Sequence, residues 1–194
     1  ASDVEEFDLN VPELKECDLT LSKASIAIEP GETGTLTATF VNEGNADWSV
    51  NVGFLGSQSM WASVDGASSG MLAYDNGNGE IEFMIEITPD DSIEANSQTS
   101  ITIQGKDGGT EKCNEDIAIT IGQSRGASMS LGNTALYSIE PGQTTSTTIT
   151  VKNQGNGPDT FRISASTPPS GWSVSLESST VSTQSKHSNE KSGT

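Results

Sequence analysis

EPGETGTLTATFVNEGN, residues 29–45, returns as EPGQTTSTTITVKNQGN at residues 140–156. The two copies stand 111 positions apart and align without a gap from Ile28 and Ile139 through Trp61 and Trp172. Leu36, Ala38 and Phe40 alternate with Thr35, Thr37 and Thr39. That period of two predicts a half-buried strand, with β-branched threonine on the wet face. The second copy keeps the phase, with Thr147, Ile149 and Val151 inward and Ser146, Thr148 and Thr150 outward. Pro-Gly ahead of the strand presets one turn, and Asn-x-Gly-Asn behind it tolerates the positive φ of another. A repeat near 110 residues exceeds a solenoid unit, typically ~20–50 residues. It matches one β-sandwich domain of about 100 residues.

Working outward, the chain of 194 residues divides into an acidic leader or linker at 1–16, a sandwich at 17–122, and a second, incomplete sandwich at 123–194. The leader also reads as the tail of a preceding module. In the first module, residues 18–22 and 25–29 form a split first strand carrying Leu19, Leu21, Ile26 and Ile28. Residues 48–54 form the next strand after the repeated one, with Val50, Val52 and Phe54 inward. The counterparts of those three are Phe161, Ile163 and Ala165. Trp61 and Trp172 match, but the surroundings diverge. Trp172, Val174 and Leu176 alternate cleanly, whereas Ala62 and Val64 fall on the opposite phase to Trp61. DNGNG at 75–79 reads as a hairpin-type turn. Ile81, Phe83, Ile85 and Ile87 then mark the strongest strand, and residues 99–104 and 116–121 complete seven or eight strands. The fold class is all-β: tandem immunoglobulin-like sandwiches, the second truncated after about four strands. Counterparts of three strands, 81–88, 99–104 and 116–121, are missing from the second module. An excised fragment, strands donated by another subunit, and local disorder each account for that.

Aromatic residues make up 5% of the chain and no long 3.6-residue apolar period occurs, so helix is not expected. No run of 18 apolar residues occurs, so no membrane insertion is expected within this segment. The start at Ala1, with no signal peptide, suits a mature or excised segment. The net charge of −18 is uneven: residues 1–122 carry 23 acidic against 4 basic side chains, and residues 123–194 carry 4 against 5. Nucleic acid is excluded as a partner, since phosphate contact needs a basic face. The acidity reads as solubility, including in a salty medium, or as a cation-binding surface.

Cys17 and Cys113 are the only cysteines, both in the first module near its first and last strands. They read as a disulfide closing the module end to end, or as two buried thiols. A disulfide implies an oxidising, extracytoplasmic setting, hence an extracellular or cell-surface location. One histidine, His187, leaves no histidine cluster for zinc and no Ser-His-Asp triad. Calcium takes six to eight oxygen ligands. Its weak candidates are Asp75, Asn76, Asn78 and Glu80, with Asp90 and Asp91 as a second group. Their spacing is not that of an EF-hand. No other cofactor is expected. For a glycan partner the aromatics Trp48, Trp61 and Tyr74 come into question. Trp61 has its repeat partner and reads as packing; Trp48 faces Asp159 in the alignment and reads as the better exposed contact. Paired carboxylates for glycoside hydrolysis are not excluded by spacing, but nothing forms a cleft for them.

The pattern I-x-P-G followed by V-x-N-x-G-N and G-W-S-V-S, best carried by residues 138–182, resembles the immunoglobulin-like repeats called CARDB, the cell-adhesion-related domain found in bacteria. It is also similar to the domain associated with α-galactosidases and other secreted glycosidases. Residues 18–122 match less closely, because GWSV becomes MWAS. The resemblance implies tandem sandwiches in surface or secreted proteins and supplies no catalytic residues. The function expected is a non-catalytic extracellular spacer or adhesion pair. The alternatives are a carbohydrate- or calcium-binding accessory module of a secreted enzyme, and a surface-filament subunit completed by strand exchange at the open edge of the second module. The partner is a protein or surface glycan that the sequence does not specify.

Overall fold

A computed structural model describes residues 7–74, 79–132 and 138–186. Contacts divide the chain into two compact units. Unit 1 comprises Ala1–Ile26, Thr33–Thr88 and Gln98–Ile119; unit 2 comprises Ala27–Glu32, Pro89–Ser97 and Thr120–Thr194.

The first repeat builds two facing sheets, antiparallel except where β2 runs parallel to β9, as Ala118 N–H on Ala24 O and Gly122 N–H on Ile28 O show. One has the order β1-β3-β7-β5, with β1 at Cys17–Leu21, β3 at Gly34–Asn42, β5 at Ala62–Val64 and β7 at Glu80–Ile87. The other has the order β2-β9-β8-β4-β6, with β2 at Ser25–Ile28, β4 at Trp48–Leu55, β6 at Ser69–Leu72, β8 at Gln98–Asp107 and β9 at Thr110–Ile121. These neighbour relations are those of an immunoglobulin-like sandwich. The first strand divides as the sequence predicts, and its halves join different sheets. The repeated stretch becomes β3, paired with β1 on one side and β7 on the other. Leu36, Ala38 and Phe40 face Ile85, Phe83 and Ile81 of β7 across the register. Phe40 and Phe83 meet edge to face at 5.6 Å. Ile101, Ile103, Ile117, Ile119 and Val50 close the core from the second sheet. Each such burial contributes about 1.5–3 kcal/mol.

One sequence expectation is corrected. β8 and β9 are far longer than residues 99–104 and 116–121, because they continue to a tight turn at Gly108 and Gly109, with φ of 61° and 126°. The turn expected at 75–79 falls on residues 75–78, which lie outside the described residues; β6 and β7 on either side lie in opposite sheets. The inward set around Trp61, open in the sequence, is decided by a short 3₁₀ turn, Ser59–Trp61. The turn resets the phase, so a buried Trp61 and a half-buried Ala62 and Val64 coexist.

In unit 2, β10 at Ala127–Leu131 pairs with β11 at Ile149–Asn153, and β12 at Asp159–Arg162 pairs with β13 at Thr180–Thr183. The β12–β13 register, Asp159 to Thr183, is that of β4–β6, Trp48 to Leu72, moved by the repeat offset. Two expectations fail here. Thr147 is exposed and outside the strand, and residues 172–176 form no strand; Trp172 is 60% exposed. The physical reason is pairing. In the first repeat β3 and β5 both lie against β7. Among the described residues of unit 2 no strand lies beside β11 where β7 lies beside β3.

Candidate functional site

Cys17 on β1 and Cys113 on β9 are joined by a disulfide, with Cα atoms 5.4 Å apart. The bond spans the two sheets; it is β2, not β1, that lies beside β9. Gly105 makes room for it. A Cβ there would stand 2.8 Å from both Cys113 Sγ and the Phe40 ring.

Trp48 is not an exposed contact. It is 3% exposed, shares the phase of Val50 on β4, and belongs to the core. Its indole Nε1 is buried without a hydrogen-bond partner among the described residues. Such a donor costs about 1–3 kcal/mol. Trp48→Phe, which keeps a ring and removes the donor, is therefore expected to change stability by less than about 1 kcal/mol, against about 3–5 kcal/mol for Trp48→Ala. Chemical denaturation of the two variants checks this; equal, large losses would show that the indole N–H is bonded after all. Trp61 is buried, as the packing reading expects, and Tyr74 is 36% exposed.

The calcium candidates Asp75, Asn76 and Asn78 lie outside the described residues, as does His187. Glu80 is exposed at the start of β7 in unit 1, while Asp90 and Asp91 belong to unit 2. There the Asp91 carboxylate lies against Gly31, at the Pro-Gly turn. No group of three or more His, Cys, Asp or Glu able to hold a metal ion occurs among the described residues.

What the structure does build, once in each unit, is a bonded Asn-x-Gly-Asn turn. Asn42 is fully buried; its Nδ2 donates to the carbonyls of Ala46 at 3.0 Å and Leu72 at 3.2 Å, and its Oδ1 accepts from Gly44 N at 2.9 Å. Asn153 repeats the set on Gly157, Gln184 and Gly155, at 2.8, 3.0 and 2.7 Å. The second asparagine of each turn grips the segment that leads into its own first strand. Asn45 Oδ1 accepts from Leu14 N at 2.7 Å and its Nδ2 donates to Pro12 O at 3.1 Å. Asn156 Oδ1 accepts from Ser124 N at 2.8 Å and its Nδ2 donates to Gly122 O at 2.9 Å. The glycine between them is required, since a Cβ on Gly44 or Gly155 would collide with the carbonyl of Leu14 or Ser124. The positive φ expected from the sequence at these turns is not found: no residue of 42–45 or 153–156 has one, and the glycines serve the close approach of a carbonyl. The side-chain bonds were signalled by the identity of both asparagines in both copies. Unit 2 also carries an open cleft of about 940 Å³ lined by Ile149, Ile163, Leu176 and Val181 together with serines and threonines.

No family model and no curated protein sequence matches the chain. Solved structures do. The S-layer protein SbsC, domains 4 and 5, is similar at 18% identity over 57% of this chain and 54% of that one, with a TM-score of 0.36. The chain thus spans about half of that structure. The ASH/PapD-like domain 7 of human CEP192 is similar at 15% identity over 62% and 94%, with a TM-score of 0.36. The Calx CBD1 domain without ligand follows at 17% identity over 55% and 97%, with a TM-score of 0.34. Among the described residues no helix is long and apolar enough to cross a membrane.

Proposed function

We propose that this chain is a non-catalytic spacer or adhesion pair of CARDB-like sandwiches from a cell-surface or secreted protein. The observation that carries the reading is the use each repeat makes of its best-matched residues. Asn42 and Asn45, like Asn153 and Asn156, spend their hydrogen bonds on the protein's own backbone. The inter-sheet disulfide supports an oxidising location, where such a bond persists. Sandwiches of this kind act mechanically, holding what is attached to them at a distance.

A binding test separates this from an accessory module. A ligand held specifically raises stability by about 2.7 kcal/mol at one hundred times its Kd. Calcium and a panel of soluble polysaccharides are expected to leave the melting temperature unchanged and to show no retention in affinity electrophoresis. A calcium-dependent rise in melting temperature, or retention on one glycan, would replace the spacer by the accessory reading. A second reading, assembly by strand addition, is favoured by the cleft beside β11. It requires a dimer or longer oligomer in sedimentation at micromolar concentration.

A further inference from the structure

The segment ahead of β1 is held in the same way as the segment ahead of β10. Leu14, Pro12 and Glu16 contribute the N–H and the two carbonyls that Asn45 and Glu43 engage. Ser124, Gly122 and Gly126 contribute theirs to Asn156 and Gln154. All three positions correspond at an offset of 110, and so do the strands that follow, since Cys17 pairs with Asn42 where Ala127 pairs with Asn153. Carried a few residues further back, the offset sets Phe7, Leu9 and Val11 on Ile117, Ile119 and Ile121. Those isoleucines are the inward row of β9 and are at most 1% exposed. Phe7, Leu9 and Val11 are 87%, 79% and 65% exposed, alternating with Asp8 and Asn10 in a segment that lies in no strand.

A stretch that alternates like a strand and shows its whole apolar row to water, on a chain whose next residues are fixed in the register of a β9-to-linker junction, lacks the sheet it is patterned for. We infer that residues 7–11 are the closing strand of a further sandwich of this repeat type, carried ahead of them on the same polypeptide. That sandwich provides the strands that β8 and β2 provide for β9. It also offers Asn45 a carbonyl matching that of Ile93, to which Asn156 Nδ2 donates at 3.1 Å within unit 2. The inference rests on the tandem-spacer reading and adds the residue-level register to it.

The test is an extended chain in which residues 17–116 are repeated directly ahead of Phe7, so that FDLNV stands where IAITI closes the first repeat. Backbone amide exchange at Leu9 and Val11 is expected to slow by at least about 100-fold relative to the unextended chain. Phe7→Asp with Leu9→Asp is expected to unfold the added copy alone. Exchange at the open-chain rate overturns the inference. A second measurement avoids dependence on the longer chain. FDLNV grafted over residues 117–121 of the 194-residue protein should leave one cooperative unfolding of the first repeat, and loss of that transition overturns the inference equally. Neither failure touches the spacer reading, which stands or falls on ligand binding.

Discussion

Reducing the Cys17–Cys113 bond, or replacing both cysteines by serine, is expected to lower the stability of the first repeat by about 2–5 kcal/mol. The two sulfurs are separated by 96 positions, and they tie an edge strand of one sheet to an inner strand of the other. In the chain-entropy view, a loop near 100 residues yields about 4.7 kcal/mol, because the open chain is deprived of so many conformations. β1 has only β3 beside it, so its attachment depends on one ladder, on Leu19, and on this bond. For a domain of about 100 residues the loss corresponds to a fall in melting temperature of roughly 10–30 °C. Calorimetry with and without reductant measures it, and amide exchange should show β1 losing protection first. Residues 123–194 contain no cysteine, so β10–β13 serve as an internal reference whose protection should not change. If β1 kept its protection in the double serine variant, the sheet ladder alone would hold it, and the bond would be incidental to the fold.

Much of the fold was legible where a pattern repeats. β3 and β7 follow from strict alternation, and the split first strand follows from Leu19, Leu21, Ile26 and Ile28. What was not legible has three physical origins. β5 and β6 are short strands that exist because β7 and β4 offer them an edge. Their own sequences, ASV and SGML, carry no period to read. Conversely, Trp172, Val174 and Leu176 do alternate, yet they form no strand, since alternation needs a neighbouring ladder to become one. Trp48 was misread because it was compared with Asp159, its counterpart in the other copy, and not with Val50, its neighbour in the same row. The candidate site suffered from register. The copies run at an offset of 111 through β3 and β11 but at 110 through β1 and β10, so a fixed offset hides the match between residues 7–11 and 117–121. The single-residue difference shows only in the backbone that Asn45 and Asn156 hold, Leu14 in one copy and Ser124 in the other.

Those asparagines carry the second large expected effect. Asn42→Ala should cost about 2–4 kcal/mol, because the carbonyls of Ala46 and Leu72 and the amide of Gly44 all lose their partner at a side chain with no exposure. Asn42→Asp should cost more at neutral pH. It keeps the shape and the acceptor for Gly44, but turns a carboxylate oxygen toward two carbonyls that the amide had satisfied. Burial and those carbonyls hold the new carboxyl above the ordinary carboxylate range. The folded state then binds a proton that the unfolded chain has released, so the deficit shrinks as pH falls toward about 4. The gap between the Asp and Ala variants should close over the same interval. Asn153→Ala removes the same three bonds in unit 2 and should lower the stability of β11–β13 comparably. Denaturant midpoints for the variants, read by amide exchange in each unit, decide the matter. A cost below about 0.5 kcal/mol at both sites would mean that water replaces the amide, since that is the range of ordinary surface substitutions. In that case the match between the two turns would reflect the hold of Asn45 and Asn156 on the incoming segment and the close approach of Gly44 and Gly155 to its carbonyl, and not the amides of Asn42 and Asn153.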